Sequence, residues 1–178
     1  MPGKRPRFLS VLLILLVGAG LLVWWVNALT NEDALWFLRS FSAQADWIII
    51  YWDGNTSMIF PGDPAYEAIM ADFAAGVAHA TGFEEDAELS DESLESYRTR
   101  QRMVELHFNT PARVHTRHPF RDATCYWVPL DGVHAEQRRV FGGLNEHPRT
   151  GVLTMSVNRF EQLRQTVEQS LAQSGPES

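Results

Sequence analysis

Histidine and arginine are concentrated in one stretch of this chain. His107, His115, His118 and His134 lie close together in sequence, with Asp122 among them. Imidazole and carboxylate are the usual ligands of zinc and other divalent metals. His115 and His118 are three residues apart, a spacing that shares one face of a helix. In an extended chain the same odd spacing sends them to opposite faces. Pro119 biases His118 toward extended backbone. The spacing therefore favours surface or hydrogen-bonded histidines, and no metal ligand is assigned.

Arg113, Arg117, Arg121, Arg138 and Arg139 are interleaved with these histidines. Guanidinium forks suit carboxylate or phosphate, so an anionic ligand is the chemistry such an island would serve. The candidate ligand-binding set is Arg113, His115, Arg117 and Arg121. The competing expectation is local pairing with Asp122, Asp131, Glu136 or the acidic run that begins at Glu84. Arg98, Arg100 and Arg102 carry the same ambiguity directly after that run.

Other chemistries find little support. Cys125 is the only cysteine, which excludes an intramolecular disulfide and an all-cysteine zinc site. It lies among Tyr126, Trp127 and Val128, the setting of a buried and inert thiol. Lys4 is the only lysine beside 14 arginines, so no lysine is placed for a phosphate loop or a Schiff base. No Gly-x-Ser-x-Gly, His-Glu-x-x-His or dinucleotide-binding glycine motif is present. His134-Ala-Glu136 matches the start of a deaminase pattern whose Pro-Cys-x-x-Cys partner one cysteine cannot supply. No catalytic residue and no cofactor is assigned, and an enzyme is the less favoured class.

Residues 83–97 hold seven acids: Glu84, Glu85, Asp86, Glu88, Asp91, Glu92 and Glu95. A calcium loop alternates its ligands and places a glycine at the sharp turn, and no glycine lies inside this run. The expectation is a solvated loop with at most a helical turn.

The elements that would position these residues are read from periodicity. Residues 47–52 (WIIIYW) form a strand buried on both faces. Asp53-Gly54 then turns the chain into a second strand at 56–60. Asp63 caps a helix with Pro64 at its first position, and Tyr66, Ile69, Met70, Phe73 and Val77 give it one buried face, ending by Gly82. Val104, Leu106 and Phe108 alternate with Met103, Glu105 and His107 in a strand over 103–108, broken at 109–111. Residues 114–118 form a short extended piece. Residues 124–130 form another strand, with Pro129 implying an edge or a bulge. Asp131-Gly132 turns the chain, 139–141 runs back, and 142–150 is a loop. The last strand, 151–157, directs Leu153, Met155 and Val157 inward. Asn158 and Glu161 form a capping box for a final helix whose stripe is Phe160, Leu163, Val167 and Leu171.

The chain's 178 residues contain 45 % hydrophobic and 21 % charged residues, one globular domain's worth. Residues 8–26 carry no charge and as a helix span roughly 28 Å, close to a bilayer's hydrocarbon thickness. Lys4, Arg5 and Arg7 before them predict a cytoplasmic N-terminus. Trp24 and Trp25 suit the far headgroup layer. The apolar run is longer than the core of a cleaved signal peptide. Beyond this flank 12 arginines face 22 acids. An acidic domain is expected to stand off an anionic surface and not to bind nucleic acid. Residues 31–45 read as a helix, with Thr30 or Asn31 as cap, that either dips into the outer leaflet or packs on the domain.

The expected fold is α+β: a transmembrane helix, then a small antiparallel sheet packed with two amphipathic helices. The divisions are a basic tail (1–7), an anchor (8–26), a juxtamembrane segment (27–45), an extracytoplasmic domain (46–173) and a polar tail (174–178). The expected function is a single-pass protein of the cell membrane whose domain binds or organises a protein partner. The alternatives are an anionic-ligand-binding accessory domain and a hydrolase with scattered His and Asp.

Overall fold

The computed structural model describes residues 8–31, 33–144, 147–148 and 151–173. The basic tail, Glu32, part of the 142–150 loop and the C-terminal tail lie outside the described residues. The architecture is α+β, with five α-helices and one seven-stranded antiparallel sheet. The first helix, α1 (Phe8–Thr30), is long and apolar enough to cross a membrane, and none of its residues is buried.

The sheet is built outward from hairpins. β1 (Trp47–Trp52) and β2 (Asn55–Ile59) are joined by Asp53 and Gly54, with φ of 50° and 83°. Two successive positive φ values match the right-handed twist of the strands, which is why Asp-Gly is favoured there. α2 (Pro64–Ala78) starts at Asp63, whose carboxylate accepts from the Ala65 N–H at 2.9 Å. It carries the chain to the far edge strand, β3 (Gly82–Glu84), and α3 (Asp91–Thr99) brings it back beside β1. β4 (Arg102–Ala112), β5 (Ala123–Pro129), β6 (Arg139–Gly143) and β7 (Val152–Thr154) then run as a meander. The short α4 (Gly132–Glu136) lies between β5 and β6. The order is β2-β1-β4-β5-β6-β7-β3. α5 (Val157–Gln173) closes the fold against α2.

Each sheet face has its own cover. Ile48, Ile50, Val104, Leu106, Tyr126, Val140 and Leu153 bury against Tyr66, Ile69 and Phe73 of α2 and Phe160, Leu163 and Val167 of α5. These are the two amphipathic helices expected from periodicity. On the opposite face Met103, Cys125, Trp127, Phe141 and Val152 lie under Leu94 and Tyr97 of α3 and under Leu89. A polar tie joins the two main helices: Gln162 and Thr166 of α5 each donate at 2.6 Å to the Asp72 carboxylate of α2.

Several local expectations are corrected. The acidic run is not a simple loop, since β3 opens it and α3 occupies its second half. Ser90 caps α3 by accepting from Ser93 N–H, Asp91 and Glu92 sit in its first turn, and Arg98 sits in its last. Each charge complements the helix dipole. β4 passes through Asn109 to Pro111, with a register shift between His107 and Ala112 that accommodates the proline. The Asp46 carboxylate holds Asn109 there through two hydrogen bonds of 2.6 Å. Pro129 is on neither edge strand. It ends the central β5, beyond the residues paired with β6. β1 is buried on one face and half-buried on the other. The last strand has only three residues, and α5 begins at Val157, which is 56 % exposed. Asn158 therefore lies inside the first helical turn. Among the described residues between α1 and the sheet, the helical piece is a 3-10 turn, Trp36–Leu38, in place of a longer helix.

At Gly143 a side chain has no room: a Cβ there would meet the His147 carbonyl oxygen at 2.0 Å and the Trp127 ring at 2.7 Å.

Candidate functional site

The loop between β4 and β5 carries the arginine–histidine stretch, and it docks on the segment that follows α1. His115 exchanges two backbone hydrogen bonds with Ser40, at 2.9 and 3.0 Å. Its Nδ1 lies 2.9 Å from an Asp33 carboxylate oxygen. Arg113 donates from Nε and Nη2 to the two oxygens of Asp122, at 2.6 and 3.1 Å. Arg121 approaches Glu85 at 3.8 Å, with both side chains about two-thirds exposed. Arg117 is exposed and makes no ion pair among the described residues. His118 stacks on Phe83, and its buried Nε2 has no hydrogen-bond partner. Burial, then the charges of Arg117 and Arg39, hold its pKa below the usual imidazole value.

Arg113, His118 and Arg121 line a cleft of about 190 Å³ together with Asp33, Phe120 and Asp122. Two of the four candidate residues, Arg113 and Arg121, line it, and the carboxylates of Asp33 and Asp122 come with them. Arg138 and Arg139 go elsewhere: Arg138 donates to the Met155 carbonyl oxygen, and Arg139 pairs with Glu84 at 2.8 Å. His107 and His134 are also remote from it. Among the described residues, no three His, Cys, Asp or Glu side chains gather as a metal-binding group.

Because Arg113 and Asp122 are 44 % and 36 % exposed, solvent screens their attraction. Arg113→Gln is expected to change unfolding free energy by no more than about 1 kcal/mol. Inorganic phosphate, with ionic strength matched by chloride, is expected to leave the Tm of wild type and variant unchanged. A saturable rise confined to wild type would make the cleft an anion site.

The second constellation centres on Glu105 of β4, which is fully buried. Arg98 of α3 donates from Nε and Nη2 to Oε1 at 3.0 and 2.7 Å. The Trp127 indole of β5 donates to the same oxygen. The Tyr51 hydroxyl of β1 donates to Oε2 at 3.0 Å, and His107 Nε2 lies 3.4 Å from it. Burial pushes the Glu105 carboxyl up. The His107 hydrogen bond and the charge and hydrogen bonds of Arg98 outweigh it and leave the pKa below the usual carboxylate value. The same burial and the Glu105 charge push the Tyr51 phenol up, so it stays a donor.

His107 is sandwiched between neighbours on adjacent strands. Trp47 stacks on its ring at 4.9 Å, and Cys125 Sγ lies 3.7 Å from Nδ1 and 3.8 Å from Nε2. A sulfur equidistant from both ring nitrogens is not in the in-line geometry by which a base activates a thiol. Cys125 is 1 % exposed. The arrangement fastens α3 to three strands. Sequence alternation placed Glu105 and His107 on one face, but nothing local signalled a buried carboxylate.

A second polar cleft, of about 270 Å³, lies between α3 and α4. The Tyr97 hydroxyl is 3.0 Å from His134 Nδ1, and Ser93, Ser96 and Gln101 line the remainder. Burial and Arg139 lower the His134 pKa, which keeps the ring neutral and able to accept from Tyr97. The chain matches no family model, no curated protein and no solved structure.

Proposed function

We propose that the chain is a single-pass protein of the cell membrane, and that α1 holds a domain of residues 46–173 outside the cytoplasm to bind or organise a protein partner. The observation that carries this reading is α1 itself. Its 23 residues have a mean hydropathy of 2.6 over the most apolar window, and no part of that window is buried by the rest of the chain. Apolar surface on that scale is costly in water and stable in lipid. Lys4, Arg5 and Arg7 before α1 support a cytoplasmic N-terminus.

Binding of a protein partner is supported by the β2 edge. Edge strands are commonly blunted by charge or proline, and Asn55–Ile59 carries neither. Met58 and Phe60 beside that edge are 53 % and 54 % exposed. The pairing of Arg113 with Asp122 weighs against a ligand-binding role for the first cleft. Protease added to intact cells or spheroplasts is expected to digest the domain. A domain protected until lysis would reverse the orientation, and a mature N-terminus at Leu29 would replace the anchor by a cleaved signal.

A further inference from the structure

The segment after α1 folds back along the helix instead of continuing away from it. The Asp33 N–H donates to the Ala28 carbonyl oxygen at 3.1 Å. The Trp24 indole donates to the Ala34 carbonyl oxygen at 3.2 Å. Trp24 lies six residues before the end of α1, roughly 9 Å down the helix axis at its usual rise. The chain at Ala34 has therefore come back within reach of the Trp24 side chain. Asp33 fixes the reversal. Its Oδ1 accepts from the Leu35 N–H at 2.8 Å and its Oδ2 meets His115, although the residue is only 8 % exposed.

The residues that follow divide sharply. Phe41 and Ala45 enter the domain core, at 8 % and 1 % exposure. Leu35, Phe37 and Leu38 are left uncovered at 43 %, 53 % and 54 %. Arg39 follows them and Arg117 lies across the Ser40–His115 bridge. Both are exposed, and both act electrostatically on His118. Neither makes an ion pair among the described residues. Among the described residues, the nearby acids have cationic or imidazole neighbours: Asp33 at His115, Asp122 at Arg113, and Glu85 near Arg121.

We propose that Leu35, Phe37 and Leu38, with Arg39 and Arg117 beside them, form a surface that docks on the outer headgroup layer of the bilayer α1 crosses. The apolar trio enters the acyl boundary and the two guanidiniums meet lipid phosphates. This inference rests on the membrane-spanning reading of α1. Continuity with α1 and the hydrogen bond to Trp24 identify the occupant as lipid, since tryptophan belongs to the headgroup layer. Arginine supplies the matching charge for anionic headgroups. The apolar cleft of about 390 Å³ between Trp24, Trp25, Leu29 and Ala34 suits an acyl chain. The acidic remainder of the domain is then held upright on this one patch.

The test uses the full chain, with the buried Cys125 replaced by alanine, reconstituted in phosphatidylcholine–phosphatidylglycerol vesicles. Nitroxide labels are placed singly through Leu15→Cys, Phe37→Cys and Met58→Cys. Accessibility to oxygen and to a water-soluble nickel chelate is read for each. The expected result is that labels at 15 and 37 read as lipid and the label at 58 reads as water. If 15 reads as lipid while 37 is as nickel-accessible as 58, α1 spans and the docking surface is overturned. If 15 also reads as water, the spanning reading fails and the docking with it. Combining Arg39→Gln and Arg117→Gln is expected to shift the label at 37 toward water, by about fivefold in docked-to-undocked ratio for each arginine. An unchanged ratio overturns the part assigned to the arginines.

Discussion

Glu105→Ala is expected to lower the unfolding free energy by about 3–4 kcal/mol in denaturant melts of the detergent-solubilised chain. Removing one member of a buried ion pair generally costs about 3–5 kcal/mol, because the partner is left uncompensated. The lower part of that range applies because the Arg98 side chain is 27 % exposed and can rehydrate. The Trp127 indole cannot, since its residue is fully buried. Replacement by glutamine keeps the shape but sets an amide N–H₂ against existing donors, and a smaller loss of about 1–3 kcal/mol is expected.

The pH dependence has a definite sign. Glu105 has a pKa below its ordinary 4.5 in the folded chain. A depressed carboxyl contributes stability that is present above the unfolded value and lost as pH falls through the folded one. Wild type should therefore lose stability below about pH 4.5 more steeply than Glu105→Gln. Parallel acid limbs, or a loss under about 1 kcal/mol for Glu105→Ala, would mean that the carboxylate does not hold α3 to the sheet.

Phe73→Ala is expected to cost about 3–5 kcal/mol, the range for truncating a buried aromatic. Phe73 has no exposed surface. It packs edge-on against Phe41 and Tyr126, with centroids at 5.4 and 5.3 Å. It is where α2, β5 and the chain arriving from α1 meet. In a fold whose total stability is about 5–15 kcal/mol, this is a large fraction. The loss should appear as a lower denaturant midpoint with an unchanged slope. A cost below about 1 kcal/mol would be incompatible with this packing.

These two positions differ in how far local sequence exposes them. Phe73 belongs to a run, Tyr66, Ile69, Met70, Phe73 and Val77, whose spacing alone marks one face of a helix. All five are buried in the same core. Glu105 shows only that it alternates with apolar residues. Its partners Tyr51, Arg98, His107 and Trp127 come from three strands and a helix. The acidic run is an intermediate case. Ser90 as cap, Asp91 and Glu92 in the first turn, Leu94 and Tyr97 three apart and Arg98 in the last turn are all local helix signals. They are masked when seven acids are counted together as one solvated loop.

What the sequence determined by itself is what nearest neighbours decide. The apolar length of α1, the Asp53-Gly54 hairpin, the Asp63-Pro64 start of α2 and the stripe of α5 each depend on residues within a few positions of one another. Tertiary structure alone decided which charges meet: Arg113 with Asp122, Arg139 with Glu84, and Arg98 with a buried Glu105. It also decided that β4 runs through Pro111, and that the segment after α1 turns back, sending Phe41 into the core and leaving Phe37 outside. The physical reason is that a side chain's burial and partners are set by what packs across from it, and the sheet brings those groups from distant parts of the chain.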